Sequence, residues 1–186
     1  MRDTNRTMQA VRLIAILAAA STEVFAESGT RRLVVSIPDR KLALIEDGRV
    51  VKIYRIAVGK TTTPSPSGSF HIVTRVSNPT YFHEGKVVGP GPTNPVGTRW
   101  MGLGYKGYGI HGTNVPGSIG KAASHGCIRL RNRDAEDLFD RVQVGDPVDL
   151  VLAPDPEIAR IFAEPDNKTV ARQTQPAASA GAGGAQ

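Results

Sequence analysis

His111-Gly112-Thr113-Asn114, a turn-rich loop and then Ser124-His125-Gly126-Cys127-Ile128-Arg129-Leu130 form the stretch around which the chain is organised. It holds the only cysteine and two of the four histidines. A thiol attacks as thiolate, and a neighbouring imidazole that takes its proton gives a thiolate–imidazolium pair near neutral pH. Between His111 and Cys127 stand Asn114, Pro116-Gly117 and Gly120, all turn formers. The segment reads as one strand, a loop and a returning strand that brings ring and sulfur together. If Cys127 to Arg129 is extended, Arg129 projects from the same face as the thiol, where it favours the thiolate or holds a substrate carboxylate. Gly126 permits a tight turn, so that N–H groups beside it can face an oxyanion.

The segment resembles the catalytic domain of the L,D-transpeptidases, the YkuD-type domain. That family's signature is a histidine followed at this distance by Ser/Thr-His-Gly-Cys, an Arg and an Asn, matched here by His111, Ser124, His125, Gly126, Cys127, Arg129 and Asn132. The likeness continues through Ile56 to Lys60, Thr63 to Phe70 and Asn94 to Arg99, and covers residues 32–152. It implies a mostly β, sandwich-like domain with one short flanking helix. It also implies Cys127 as nucleophile, His111 as base and the Gly112 carbonyl as the group that orients the ring. Gly126, Arg129, Ser124, His125 and Trp100 are then expected to bind substrate, serve the oxyanion or shape the loop. No metal and no organic cofactor is implied.

Composition agrees with one globular domain. The chain has 186 residues, 40% hydrophobic and 22% charged, with a formal charge of +6. Its basic residues are scattered, without a long run or interleaved aromatics, which argues against nucleic-acid binding. Arg2 and Arg6 precede, and Arg12 stands at the start of, an apolar run from Val11 to Ala20, and Val24-Phe25-Ala26 ends in a small residue. That run is far shorter than the roughly 20 residues a membrane span needs, so residues 1–26 read as a cleavable signal peptide and the protein as exported to the periplasm. A lone cysteine in an oxidising compartment argues for a working thiol.

Period-2 alternation and β-branched residues predict strands over Arg32–Ile37, Lys41–Ile45, Arg49–Val58, Phe70–Val76, Trp100–Leu103, Tyr108–His111 and Val148–Leu152. Asp47-Gly48 is a hairpin signal. Residues 77–95, with Pro79, Pro90, Pro92 and Pro95, form a long loop whose Tyr81, Phe82 and His83 suit a substrate-contacting flap. Ala135, Leu138, Phe139 and Val142 fall on one face of a helix with Asn132 as its cap. From Ala153 to Gln186 the composition predicts a largely disordered tail after a brief helix candidate near Glu157–Ala163.

The resemblance implies action on peptidoglycan stem peptides as a monomer. D-alanine leaves a tetrapeptide stem, a thioester forms on Cys127, and a second stem accepts the acyl group in a 3-3 cross-link. Water, a free D-amino acid or the lysine of an outer-membrane lipoprotein are alternative acceptors, and carbapenem sensitivity is expected. Two other classes stand beside this reading: a zinc site from His111, His125 and Cys127, whose H-x-C spacing is unusual for zinc, and a non-catalytic wall-binding module.

Overall fold

The computed structural model describes residues 30–105, 107–153 and 156–163. The expected signal peptide and the Thr174–Gln186 segment lie outside the described residues.

The opening meander forms as its alternation predicts. Strands β1 (Arg31–Ser36), β2 (Lys41–Glu46) and β3 (Arg49–Arg55) pair antiparallel in order. Asp47 and Gly48 both take positive φ, 50° and 73°, as a tight hairpin turn requires. After β4 (Val58–Gly59) the chain reaches β5 (Gly68–His71) and β6 (Thr74–Ser77), which the sequence presents as one strand. The structure breaks it at Ile72-Val73. Phe70 pairs with Val148 of β13 (Pro147–Val151), whereas Thr74 pairs with Gly102 of β9 (Arg99–Gly102). Fully buried Ile72 sits at the corner where the chain passes from one sheet to the other.

Two sheets result. The larger runs β3-β2-β1-β13-β5, and the smaller runs β12-β10-β9-β6, with β10 at Gly109–His111 and β12 at Ile128–Arg129. Between them lies the core of Leu33, Val35, Leu42, Leu44, Ile56, Met101, Ile110, Ile128 and Leu150, closed by Ala135 and Leu138 of α1 (Asn132–Arg141). Phe139, on the same helical stripe, lies under the guanidinium groups of Arg75 and Arg99, 4.1 and 5.3 Å from its ring centre. Asp137 on another face accepts hydrogen bonds from Tyr54 Oη and Lys52 Nζ, at 2.5 and 2.8 Å, and ties α1 to β3.

One expectation about helices needs correction and another is met. Asn132 does not cap α1: the cap position is Arg131, with no side-chain cap bond, and Asn132 is the first helical residue, with its side chain turned to the Thr113 amide. The brief helix expected near Glu157–Ala163 forms as α2 (Pro156–Phe162). Its Ile158 and Phe162 pack on Val34, Ala43 and Ile45, the outward face of β1 and β2. The unbroken apolar runs Leu33-Val34-Val35 and Leu42-Ala43-Leu44-Ile45 signal strands covered on both faces, and α2 is the cover.

Two short pairs complete the fold: β4 with β11 (Ala122–Ser124), and the hairpin β7 (Tyr81–His83) with β8 (Lys86–Val88) inside the proline-rich loop. Among the described residues no helix is long and apolar enough to cross a membrane.

Removing the α2 anchor separates docking from mere proximity. Phe162→Ala is expected to lower unfolding free energy by about 2–3 kcal/mol, read from the urea midpoint. Phe82→Ala, on a side chain 69% exposed in the β7–β8 hairpin, is expected to stay within about 0.5 kcal/mol. Equal midpoints for the two variants would mean that α2 does not stabilise the sheet.

Candidate active site

Register in the smaller sheet decides which side chains meet. Val76 is opposite Trp100, Trp100 opposite His111, and His111 opposite Arg129 in the parallel β10–β12 pair. Paired residues share a face, so these four form one row across the sheet. The neighbouring row contains Met101, Ile110 and Ile128, all in the core. The row of Trp100, His111 and Arg129 therefore faces away from the core and lines a cavity of about 660 Å³. Cys127 precedes Arg129 by two residues and lines the same cavity, as do Ser124 and His125 and, from the hairpin, Tyr81, Phe82 and His83.

Extension of this register places Cys127 opposite Gly109. A Cβ on Gly109 would lie 2.7 Å from the Trp100 ring, so the glycine leaves the space that the indole fills. The thiol donates to the Gly107 carbonyl at 3.4 Å.

Each site residue has a local cause for its position. Ser124 is fully buried; its Oγ donates to the Cys127 carbonyl at 2.6 Å and accepts the Gly126 N–H at 3.0 Å, which closes the turn. Gly126 has φ +112°, and a Cβ there would meet Tyr108 at 2.4 Å. Its amide is thus committed to Ser124. The outer edge of β12 is held by Ala57, which exchanges two 2.9 Å backbone hydrogen bonds with Arg129. Lys60 N donates to the Ser124 carbonyl from the adjoining turn.

His111 is 4% exposed. Its Nδ1 lies 2.6 Å from the Gly112 carbonyl, which can only accept, so Nδ1 carries the proton and Nε2 the lone pair. Trp100, half-buried, stacks on the ring with centroids 5.5 Å apart and planes 23° off parallel. The indole is thus both packed and part of the cleft wall.

Burial sets the resting protonation. It lowers His111 to a pKa of about 4, with the Gly112 hydrogen bond opposing and the Arg129 charge assisting. It pushes the Cys127 thiol above its ordinary value, against the backbone hydrogen bond with Gly109 and the Arg129 charge, which pull it down. At neutral pH these shifts favour thiol and neutral imidazole over the ion pair that the sequence suggests. Desolvation penalises both charged forms at once.

His125 is exposed, and its Nε2 stands 3.4 Å from Lys60 Nζ. Lys60 falls in the stretch that carries the resemblance, but nothing in its spacing links it to a histidine 65 positions away. Among the described residues no three His, Cys, Asp or Glu side chains form a group that could hold a metal, so His111, His125 and Cys127 do not converge as ligands.

The comparisons with known proteins point one way. The model of the L,D-transpeptidase catalytic domain, YkuD, matches residues 30–150. YqjB of Bacillus subtilis is 39% identical over 122 residues, which are 63% of this chain and 69% of that protein. YkuD of Bacillus licheniformis is 45% identical over 119 residues, 64% of each chain. Both relatives are named for L,D-transpeptidation. A solved L,D-transpeptidase of Mycobacterium smegmatis superposes with a TM-score of 0.57 at 23% identity, over 66% of this chain and 59% of that one, a likeness of fold. The Enterococcus faecium L,D-transpeptidase C442S mutant superposes with a TM-score of 0.57 at 26% identity, over 66% and 50%. The chain thus spans about two thirds of the length of these Bacillus relatives and less of the solved proteins.

The electrostatics are open to direct measurement. Iodoacetamide alkylation of Cys127, followed by mass spectrometry, is expected to accelerate with pH through the alkaline range and beyond the ordinary thiol value. A rate that has already levelled off near neutrality would indicate a preformed thiolate–imidazolium pair.

Proposed function

The chain belongs to the L,D-transpeptidase catalytic-domain family, and on that footing we propose that it is an exported enzyme that cross-links peptidoglycan stem peptides through a thioester on Cys127. The observation that carries this reading is the shared face. Cys127 and His111 line one cavity, and the base has its Nδ1 tied down and its Nε2 lone pair available.

The reaction follows from the neutral pair. Cys127 Sγ attacks the carbonyl between the third, diamino acid residue of a tetrapeptide stem and its terminal D-alanine, while His111 Nε2 takes the thiol proton. Attack and proton removal are coupled, since neither ion is favoured in the buried resting state. The imidazolium then protonates the departing D-alanine amine, the C–N bond breaks, and a thioester remains. The amine of another stem's diamino acid attacks next, His111 accepts its proton, and the sulfur leaves with that proton restored. With the Gly126 amide engaged by Ser124, the oxyanion role in this loop falls to the Cys127 amide.

Arg129 suits a substrate carboxylate. It is partly buried, and its Nε has no hydrogen-bond partner among the described residues. A buried donor left unpaired is costly, and an anion in the cleft would satisfy it. Trp100 forms the floor beside the base. Tyr81, Phe82 and His83 of the hairpin form the opposite wall, where the stem's apolar stretches would lie. Access to peptidoglycan places the protein in the cell envelope, consistent with reading residues 1–26 as a signal peptide. A carbapenem, a strained acyl donor of similar shape, would acylate the same sulfur.

Incubation with purified disaccharide-tetrapeptide, followed by mass analysis, tests the proposal. The expected product is a dimer that has lost one D-alanine, absent with Cys127→Ala; a tripeptide alone would make water the acceptor and remove the cross-linking assignment. Arg129→Ala is expected to raise the KM for the stem about 10- to 100-fold, the worth of a charge-assisted hydrogen bond. An unchanged KM would take the carboxylate away from Arg129.

A further inference from the structure

Asn132 has a side chain whose obvious use, capping α1, the structure does not make. Its Oδ1 instead accepts the Thr113 N–H at 2.9 Å, from nineteen residues along the chain. That N–H and the Gly112 carbonyl belong to one planar peptide unit. The same carbonyl receives His111 Nδ1–H at 2.6 Å.

We infer that Asn132 is a positioning residue for the His111 base, acting through the Gly112–Thr113 peptide. The inference rests on the proposed role of His111 and adds to it the group that holds the base's orienting partner. In a catalytic triad with a carboxylate, the third member supplies a full charge. Here it is a neutral carbonyl, so its strength and direction depend on what holds the peptide. Donation at the N–H polarises the unit and strengthens its C=O as an acceptor. Rotation of the peptide plane would break the bond at one end or the other. The adjacent amide is held as well: Gly112 N donates to the Arg99 carbonyl at 3.1 Å.

The space around the Asn132 amide is built for this contact. A Cβ on Gly112 would lie 2.2 Å from Asn132 Oδ1, and a Cβ on Gly97, at φ +64°, would lie 2.1 Å from it. Either substitution would expel the side chain, so two glycines from separate segments leave room for one amide. Thr113 is 3% exposed, which keeps water from replacing the Asn132 bond. Asn132 begins the helix whose Ala135 and Leu138 are in the core, so the seating of α1 is transmitted to the imidazole.

The test uses the full chain with 15N-labelled histidine, so that ring shifts report which nitrogen of His111 is protonated. Asn132→Leu keeps the volume and removes the acceptor; Asn132→Asp keeps an oxygen at the same point. The wild type and Asn132→Asp are expected to hold the Nδ1–H tautomer. Asn132→Leu is expected to show mixed tautomers, with kcat on the stem peptide slower by about tenfold or more and KM within about twofold. Should Asn132→Leu fail to fold, Asn132→Ser, too short to reach the Thr113 amide, takes its place with the same expectation. A folded Leu or Ser variant that keeps the Nδ1–H tautomer overturns the inference. The tautomer readout needs no substrate: a wild type that never reacts with stem peptide, beside a variant that loses its tautomer, would remove the transpeptidase proposal and leave the positioning role standing.

Discussion

The parallel pairing of β10 with β12 is the constraint on which the site depends. With His111 opposite Arg129, alternation along each strand puts Ile110 and Ile128 into the core and sends His111, Arg129 and Cys127 out to the cleft. A slip of one residue would turn the base into the core and bring an isoleucine out, so core packing and catalytic geometry are specified by the same register. Its maintenance from both sides explains the surrounding architecture. Trp100 on β9 stacks on His111, and Ala57 pins the far edge of β12 by two backbone hydrogen bonds. The Ser124 hydroxyl closes the turn that delivers the cysteine to its position opposite Gly109.

Burial then acts against charge. Burial lowers the basicity of His111 and raises the thiol's pKa, which favours keeping the proton on sulfur. Arg129 influences both groups in the direction expected of a cation, lowering each. The chemistry this allows is proton transfer in step with attack, in which the orientation of the imidazole matters more than a preformed ion pair. Hence the density of contacts around that ring: carbonyl, indole and, through one peptide, an amide on α1.

The helices serve the sheets from opposite sides. α1 closes the core through Ala135 and Leu138 while its first residue reaches the site. α2 covers the outward face of β1 and β2, which the apolar residues Val34, Ala43 and Ile45 leave in need of a partner. One helix is thereby coupled to chemistry and the other to stability alone.

Much was legible in the residues themselves. Period-2 alternation located the meander and its Asp-Gly turn, and the order His111, Ser124, His125, Gly126, Cys127, Arg129, Asn132 identified the family. Strand parity alone put Cys127 and Arg129 on one face. What the chain could not show locally were the relations between distant segments. The passage of Phe70–Val76 from one sheet to the other at Ile72, the docking of α2, the commitment of the Gly126 amide to Ser124 and the use of Asn132 on a peptide rather than a helix end all belong here. So does the neutral resting pair, because desolvation depends on everything packed around a group and not on its neighbours in sequence. Spacing and residue type determine which groups are available; only tertiary packing decides which hydrogen bonds they spend and which charges they can hold.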